Sequence, residues 1–164
     1  MNKTSIGVIV AVIILGGFIW VARPDTQNTP PSTTNVDGSL IVEGDSNYNF
    51  GSISMGAGKV KNVFKIKNTS DEPVVINKIY TSCMCTVATL ITGDNQFGPF
   101  GMPGHEAVPK ISQTVNPDEE VSVEVVFDPA AHGPAGVGKI QRMVIIENSA
   151  GQPIELEFTA IVTP

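Results

Sequence analysis

Two cysteines, two histidines and four methionines follow residue 40, and their placement is more informative than their number. Cys83, Met84 and Cys85 stand as C-M-C directly after a predicted strand, Met102 and His105 lie in F-G-P-F-G-M-P-G-H, and His132 lies in F-D-P-A-A-H-G-P-A-G. Both histidines thus sit in Gly/Pro-rich loops, which fix backbone shape without helical or strand propensity and suit a site more than a core. Thiolate, thioether and imidazole make a soft ligand set that selects copper(I), or copper(II) or zinc where fewer sulfurs bind. The candidate ligands are therefore Cys83, Cys85, His105 and His132, with Met102 as a weak fourth or fifth. Met84, between the cysteines of an extended segment, is expected to point away. Copper is the expected ion and zinc the second choice, although none of these spacings is a recognised zinc pattern.

The same residues admit other chemistry. An extracytoplasmic cysteine pair is usually a disulfide, and a ring closed between residues two apart is strained and hence reducible, which makes a redox-active pair the alternative. Each histidine taken alone could simply hydrogen-bond loop carbonyls. A nucleophile arrangement of Cys83, His132 and Asp128 can be written down, but no known local signature surrounds it, so no catalytic residue is assigned and no enzyme is expected. Glu119-Glu120 and Asp71-Glu72 read as solvated turn charges without the apolar pocket a general acid needs. The G-A-G-K of Gly56–Lys59 is too short for a phosphate loop and precedes a strand, not a helix. Asn68-Thr69-Ser70 fits a glycosylation acceptor.

The elements that must position these residues are β-strands. From residue 40 onward, short alternating runs rich in Val, Ile, Phe and Thr are separated by Gly, Pro, Asn and Asp clusters, with no helical period. The expected strands are Leu40–Glu43, Tyr48–Ile53, Val60–Lys67, Val74–Thr81, Thr86–Ile91, Pro109–Val115, Glu120–Phe127, Lys139–Glu147 and Ile154–Val162. Val121, Val123, Val125 and Phe127 alternate with polar residues, as one buried sheet face requires. The pattern predicts an all-β, immunoglobulin-like antiparallel sandwich over residues 40–164. If the Val74 strand pairs antiparallel with the Lys139 strand, and Pro109–Val115 forms a hairpin with Glu120–Phe127, then all three ligand-bearing loops meet at the end where Val74–Thr81 finishes.

Ahead of the sandwich, Ile6 to Ala22 form 17 residues without a charge. As a helix this run is about 25 Å long, enough to span a bilayer core with help from its flanks. Trp20 and neighbours spoil the small-residue pattern of a cleavage site, so an uncleaved transmembrane helix is expected. Lys3 within residues 1–5 favours a cytoplasmic N-terminus and an extracytoplasmic domain at the cell membrane. Residues 23–39, rich in Pro, Ser and Thr, cannot pack a core and read as a linker reaching at most roughly 50 Å. Beyond Ala22 the chain carries all 16 Asp/Glu against nine of its ten Lys/Arg, a net charge of -7. Such a domain has no footprint for phosphate backbones, and no nucleic acid is expected to bind.

Several segments resemble the bacterial domain-of-unknown-function family 1573, akin to hydin and major-sperm-protein type domains. The likeness covers about Tyr48 to Val162 and is carried by Y-N-F-G-S-I, F-K-I-K-N-T-S-D-E-P, S-C-M-C-T at Ser82–Thr86, V-V-F-D-P and the closing I-E-L-E-F-T-A-I-V. It implies an exported or anchored immunoglobulin-like sandwich with no established reaction, related to domains that mostly act in protein interaction. Members usually have Gly between the cysteines, so Met84, the Gly93–Pro109 insertion and the H-G-P-A-G loop are departures, and these supply the extra ligands. The relationship supports a second expectation, a module that docks an envelope protein through a strand edge or through Phe97, Phe100 and Met102.

Overall fold

The computed structural model describes residues 39–105 and 107–164. The expected anchor at 6–22, and all of the linker but Ser39, lie outside the described residues. Within the described residues no helix is long and apolar enough to cross a membrane.

Among the described residues ten strands make two five-stranded sheets: β1 (Leu40–Glu43), β2 (Asn47–Ser54), β3 (Val60–Asn68), β4 (Val74–Thr81), β5 (Thr86–Thr92), β6 (Asn95–Phe100), β7 (Gln113–Val115), β8 (Glu120–Phe127), β9 (Gly138–Asn148) and β10 (Ile154–Thr163). One sheet has the order β1-β3-β8-β5-β6 and the other β2-β10-β9-β4-β7. The expected alternation is present: on β8, Val121, Val123, Val125 and Phe127 are buried, and on β10, Ile154, Leu156, Phe158, Ala160 and Val162 are buried. Each of the Val, Ile, Leu and Phe side chains among them contributes about 1.5–3 kcal/mol on burial. The two faces meet at Phe158, whose ring centroid lies 5.4 Å from those of both Phe50 and Phe127.

Three features depart from the sequence reading. First, β2 and β10 pair parallel, so the second sheet is mixed, not antiparallel. Alternation reports which face is buried and is blind to strand direction, and no hairpin turn ties these two strands together. Second, β6 occupies part of the Gly93–Pro109 insertion, where Gly98 and Pro99 argue against a strand. It is an edge strand, which tolerates both, and a Cβ on Gly98 (φ +121) would stand 2.9 Å from the Ala88 carbonyl oxygen of the neighbouring strand. Third, Pro109–Val115 shrinks to Gln113–Val115 and pairs with β4 in the other sheet, so its turn into β8 is a sheet crossing and not a hairpin.

Asn68, the first residue of the glycosylation triplet, is 0% exposed. Its amide nitrogen donates to the carbonyls of Glu72 and Val115 at 2.8 and 2.9 Å, so the atom that a glycan would join is already committed in the folded domain.

On the surface of the first sheet, Lys65 Nζ lies 2.7 Å from Glu120 Oε1. The hydrogen bond from this ammonium holds the Glu120 carboxyl below its ordinary 4.5, and the same bond raises Lys65 above 10.5. A lowered carboxyl adds stability that is present above its unfolded value and lost as pH falls through the folded one. A raised amine adds stability that is present below its unfolded value and lost as pH rises through the folded one. Both groups are exposed and therefore screened by salt. In a carboxyl NMR titration, Glu120 is expected to titrate below 4.5 and to return towards that value in Lys65→Met.

Candidate functional site

The site depends on one irregularity in β4. Val74 and Ile76 face the core, and simple alternation would send Lys78 and Tyr80 in after them. The pairing with β9 shifts register between Ile76 and Lys78, and the extra residue turns Ile79 and Thr81 inward instead. Continuing in that phase, Cys83 and Cys85 are 7% and 3% exposed, whereas Met84 between them is 47% exposed and points away as expected.

The turn from β4 to β5 carries the chain from one sheet to the other. The buried Thr81 hydroxyl lies 3.0 Å from the carbonyl oxygens of both Cys83 and Thr86, its one proton serving the two. Thr86 N donates to Cys83 O at 3.1 Å, and Ser82 N donates to Met143 O at 2.9 Å. Cys83 and Cys85 are joined in a disulfide, with Cα atoms 5.2 Å apart.

Two basic side chains reach the sulfurs. His132 Nε2 is 3.1 Å from Cys83 Sγ, and Arg142 Nε donates to Cys85 Sγ at 3.3 Å. Cys85 N donates to Cys83 Sγ at 3.3 Å, and Thr86 Oγ1 is 3.6 Å from Cys85 Sγ.

His132 is held there by the β8–β9 connection. Asp128 N donates to Cys85 O at 2.9 Å, which ties the start of that connection to the cysteine turn. Asp128 Oδ1 accepts from Ala130 N at 2.9 Å, so this carboxylate shapes the loop. The loop then closes through a short 3-10 turn, Gly133–Gly136. A Cβ on Gly136 would stand 3.1 Å from His132 Cβ, so glycine lets the turn fold against the imidazole.

Arg142 comes from the part of β9 that outruns β4. The last pair between these strands is Thr81 with Val144, and residues 138–142 pair with β10 alone among the described strands. Arg142 was not among the candidates, yet a signal existed: it shares the inward face of β9 with Ile140, Val144 and Ile146. A charge on an apolar strand face needs a partner, and here it finds a sulfur.

Of the expected ligands, the structure gathers Cys83, Cys85 and His132, whose ligand atoms all lie within 4.8 Å of one another. The loop carrying Met102 and His105 does begin at this end, since Gly101 O accepts from Thr81 N at 3.1 Å. It then follows the β4 edge away from the cysteines, with Ile111 N donating to Asn77 O at 2.8 Å. Met102 is half-buried and His105 exposed, and His105 is not in the described cluster. Phe100 is buried in the core and Phe97 is partly buried against that core. An open groove of about 520 Å³ is lined by residues of the His132 loop and of the β9 start, among them His132 and Arg142, the two side chains that reach the sulfurs.

Residues 41–94 match the family described as "Protein of unknown function (DUF1573)". The matched span runs from β1 to the turn after β5, takes in both cysteines and ends before His132 and Arg142. No curated protein matches the chain in sequence. Among solved structures, a protein of unknown function from Porphyromonas gingivalis W83 superposes with TM-score 0.53 at 13% identity, over 76% of this chain and 46% of that one. A family 123 glycoside hydrolase from Clostridium perfringens gives 0.50 at 7% identity, over 73% of this chain and 23% of that one. The ASH / PapD-like domain of human CEP192 gives 0.46 at 12% identity, over 86% and 97%. The chain therefore spans less than half of the first two, and the likeness concerns the fold.

Proposed function

We propose that the domain is a thiol-disulfide exchange module, not a passive cross-link. What supports this reading most is that each sulfur meets a basic side chain, His132 at Cys83 and Arg142 at Cys85. Cations beside sulfur favour the thiolate, which is both the nucleophile and the better leaving group. Arg142 is a fixed cation, so Cys85 is the sulfur that leaves. A partner thiolate attacks Cys83 Sγ, the Cys83–Cys85 bond breaks, and its electron pair remains on Cys85 beside the guanidinium. A second partner thiolate then attacks the mixed disulfide and expels Cys83, which takes a proton by way of His132. Two partner thiols become one disulfide, and the cysteine pair gains two electrons. The reverse sequence oxidises a partner.

With residues 6–22 read as an anchor, this chemistry belongs at the outer face of a membrane, and the natural partner is an envelope protein. In Arg142→Gln, loss of about 1.5 kcal/mol of charge-assisted contact predicts reduction by dithiothreitol about tenfold slower than in the natural chain. An unchanged rate would remove Arg142 from the mechanism, and a folded chain whose disulfide resists dithiothreitol would overturn the exchange reading.

A second reading is favoured by the three converging ligand atoms. Once reduced, Cys83, Cys85 and His132 offer two thiolates and an imidazole, a set suited to copper(I) first and zinc second. Met102 and His105 would then stand outside the set. Copper(I) offered to the reduced chain should be retained and then lost in His132→Ala if this reading holds, and not retained if it fails.

A further inference from the structure

We infer that the partner of the cysteine pair is an extended peptide thiol with acidic residues beside its cysteine, seated in the groove along the start of β9. This rests on the exchange reading above and adds the chemical class of the substrate.

Two independent observations lead there. The first is an open strand edge. Among the described strands, residues 138–142 of β9 pair with β10 alone, because β4 ends at Thr81 and turns away towards β5, and the Gln141 carbonyl on this stretch accepts from Arg142 Nη1 at 2.8 Å, a bond that an added strand would replace. The groove lies at this stretch and is lined by Lys139, Ile140, Gln141 and Arg142 on one side and by the His132 loop on another. An edge whose neighbour is missing can pair with an added extended strand, which is how sheets commonly take peptides. It leads to Arg142 and His132, the two residues that touch the sulfurs, so a peptide lying along it can present a cysteine to Cys83.

The second observation is charge. The chain carries a formal net charge of -6, yet the charged side chains that line this groove are Lys139 and Arg142, with His132 beside them. The described ion pairs use Lys61, Lys65, Lys67 and Lys78, and neither Lys139 nor Arg142 is among them. The Glu157 carboxylate on β10 accepts from the Gln141 amide. A cationic groove on an acidic domain attracts carboxylates and turns away both basic peptides and most of its own surface, raising the encounter rate at low salt.

The test uses the full chain in detergent and two capped tripeptides, Glu-Cys-Glu and Lys-Cys-Lys. Each rate of disulfide reduction is divided by the same peptide's rate with a small neutral disulfide, which removes differences in thiol reactivity. The acidic peptide is expected to exceed the basic one by about tenfold at low salt, with the ratio shrinking towards one as salt shortens the screening length. In Lys139→Glu, with each peptide rate divided by that variant's own rate with dithiothreitol, the preference for the acidic peptide should fall several-fold. Equal normalised rates, or a preference untouched by Lys139→Glu, would overturn the inference and leave the exchange reading standing. A disulfide that neither peptide nor dithiothreitol reduces would overturn both.

Discussion

Phe158→Ala is expected to cost about 3–5 kcal/mol of folding stability, which is a large part of what a domain of this size possesses. The side chain is 1% exposed and sits where the two sheets meet, its ring 5.4 Å from those of Phe50 and Phe127. Truncation removes the transfer free energy of a whole ring and leaves a cavity between two β-sheets that cannot close over it, because both are held by long antiparallel pairings. Phe158→Leu keeps most of the volume and should cost about half as much. Urea unfolding of the two variants measures the difference as a shift of midpoint at unchanged slope. The consequence reaches the site. Phe127 immediately precedes Asp128, whose amide binds Cys85 O, so a loosened Phe127 is expected to loosen the loop that holds His132 against Cys83.

The second large effect lies at the other end of β3. Asn68→Ala is expected to destabilise the domain by about 3 kcal/mol, from several groups each worth about 1–3 kcal/mol when buried without a partner. The Asn68 amide nitrogen serves the Glu72 and Val115 carbonyls, while its oxygen accepts from Ser70 N at 3.0 Å and Ser70 Oγ at 2.8 Å. Val115 ends β7, so this one side chain fastens the turn after β3 to a strand of the opposite sheet. Alanine takes away the side-chain partner of the Val115 carbonyl and of the Ser70 amide, while the Glu72 carbonyl keeps the Ser70 hydroxyl at 2.9 Å. Aspartate is expected to be worse, because it keeps the acceptor for Ser70 but places a carboxylate against the two carbonyl oxygens. Thermal or urea unfolding should rank the three as Asn, Ala, Asp from most to least stable. An alanine variant as stable as the natural chain would show that water replaces the amide there.

Much of the fold is legible in the residues because burial writes itself into a strand with period two. The alternation of Val121, Val123, Val125 and Phe127, or of Leu156, Phe158 and Ala160, announces a strand with one face in a core, and the Asn, Asp, Gly and Pro clusters mark where strands stop. β1, β4 and β8 accordingly have the expected bounds. What alternation cannot carry is direction and neighbour. Both faces of a parallel and an antiparallel strand read the same, which is why the β2–β10 pairing is not visible in the chain. β6 escaped because Gly98 and Pro99 are penalised within a sheet and tolerated at its edge, and edge position is a property of the assembly.

The site divides in the same way. Residue type alone marked Cys83, Cys85 and His132, since soft and titratable groups in Gly/Pro-rich loops stand out against an apolar, alternating background. Their meeting was deduced from an assumed pairing of β4 with β9, and that pairing is present. The candidates Met102 and His105 rested on a third loop, which starts at the same end and then leaves along the β4 edge. Only tertiary structure decided that path, because a loop without a periodic pattern contains no record of which strand it follows. Arg142 shows the converse case: its charge on an inward face was readable, but its partner was not, since the contact spans 57 positions and depends on β9 outrunning β4. Composition and period determined that this chain folds as a β-sandwich carrying a set of soft side chains in its loops. The register shift in β4, which turns both cysteines inward to meet a histidine and an arginine, was decided by the packing of one sheet against the other, where a single extra residue reverses every side chain beyond it.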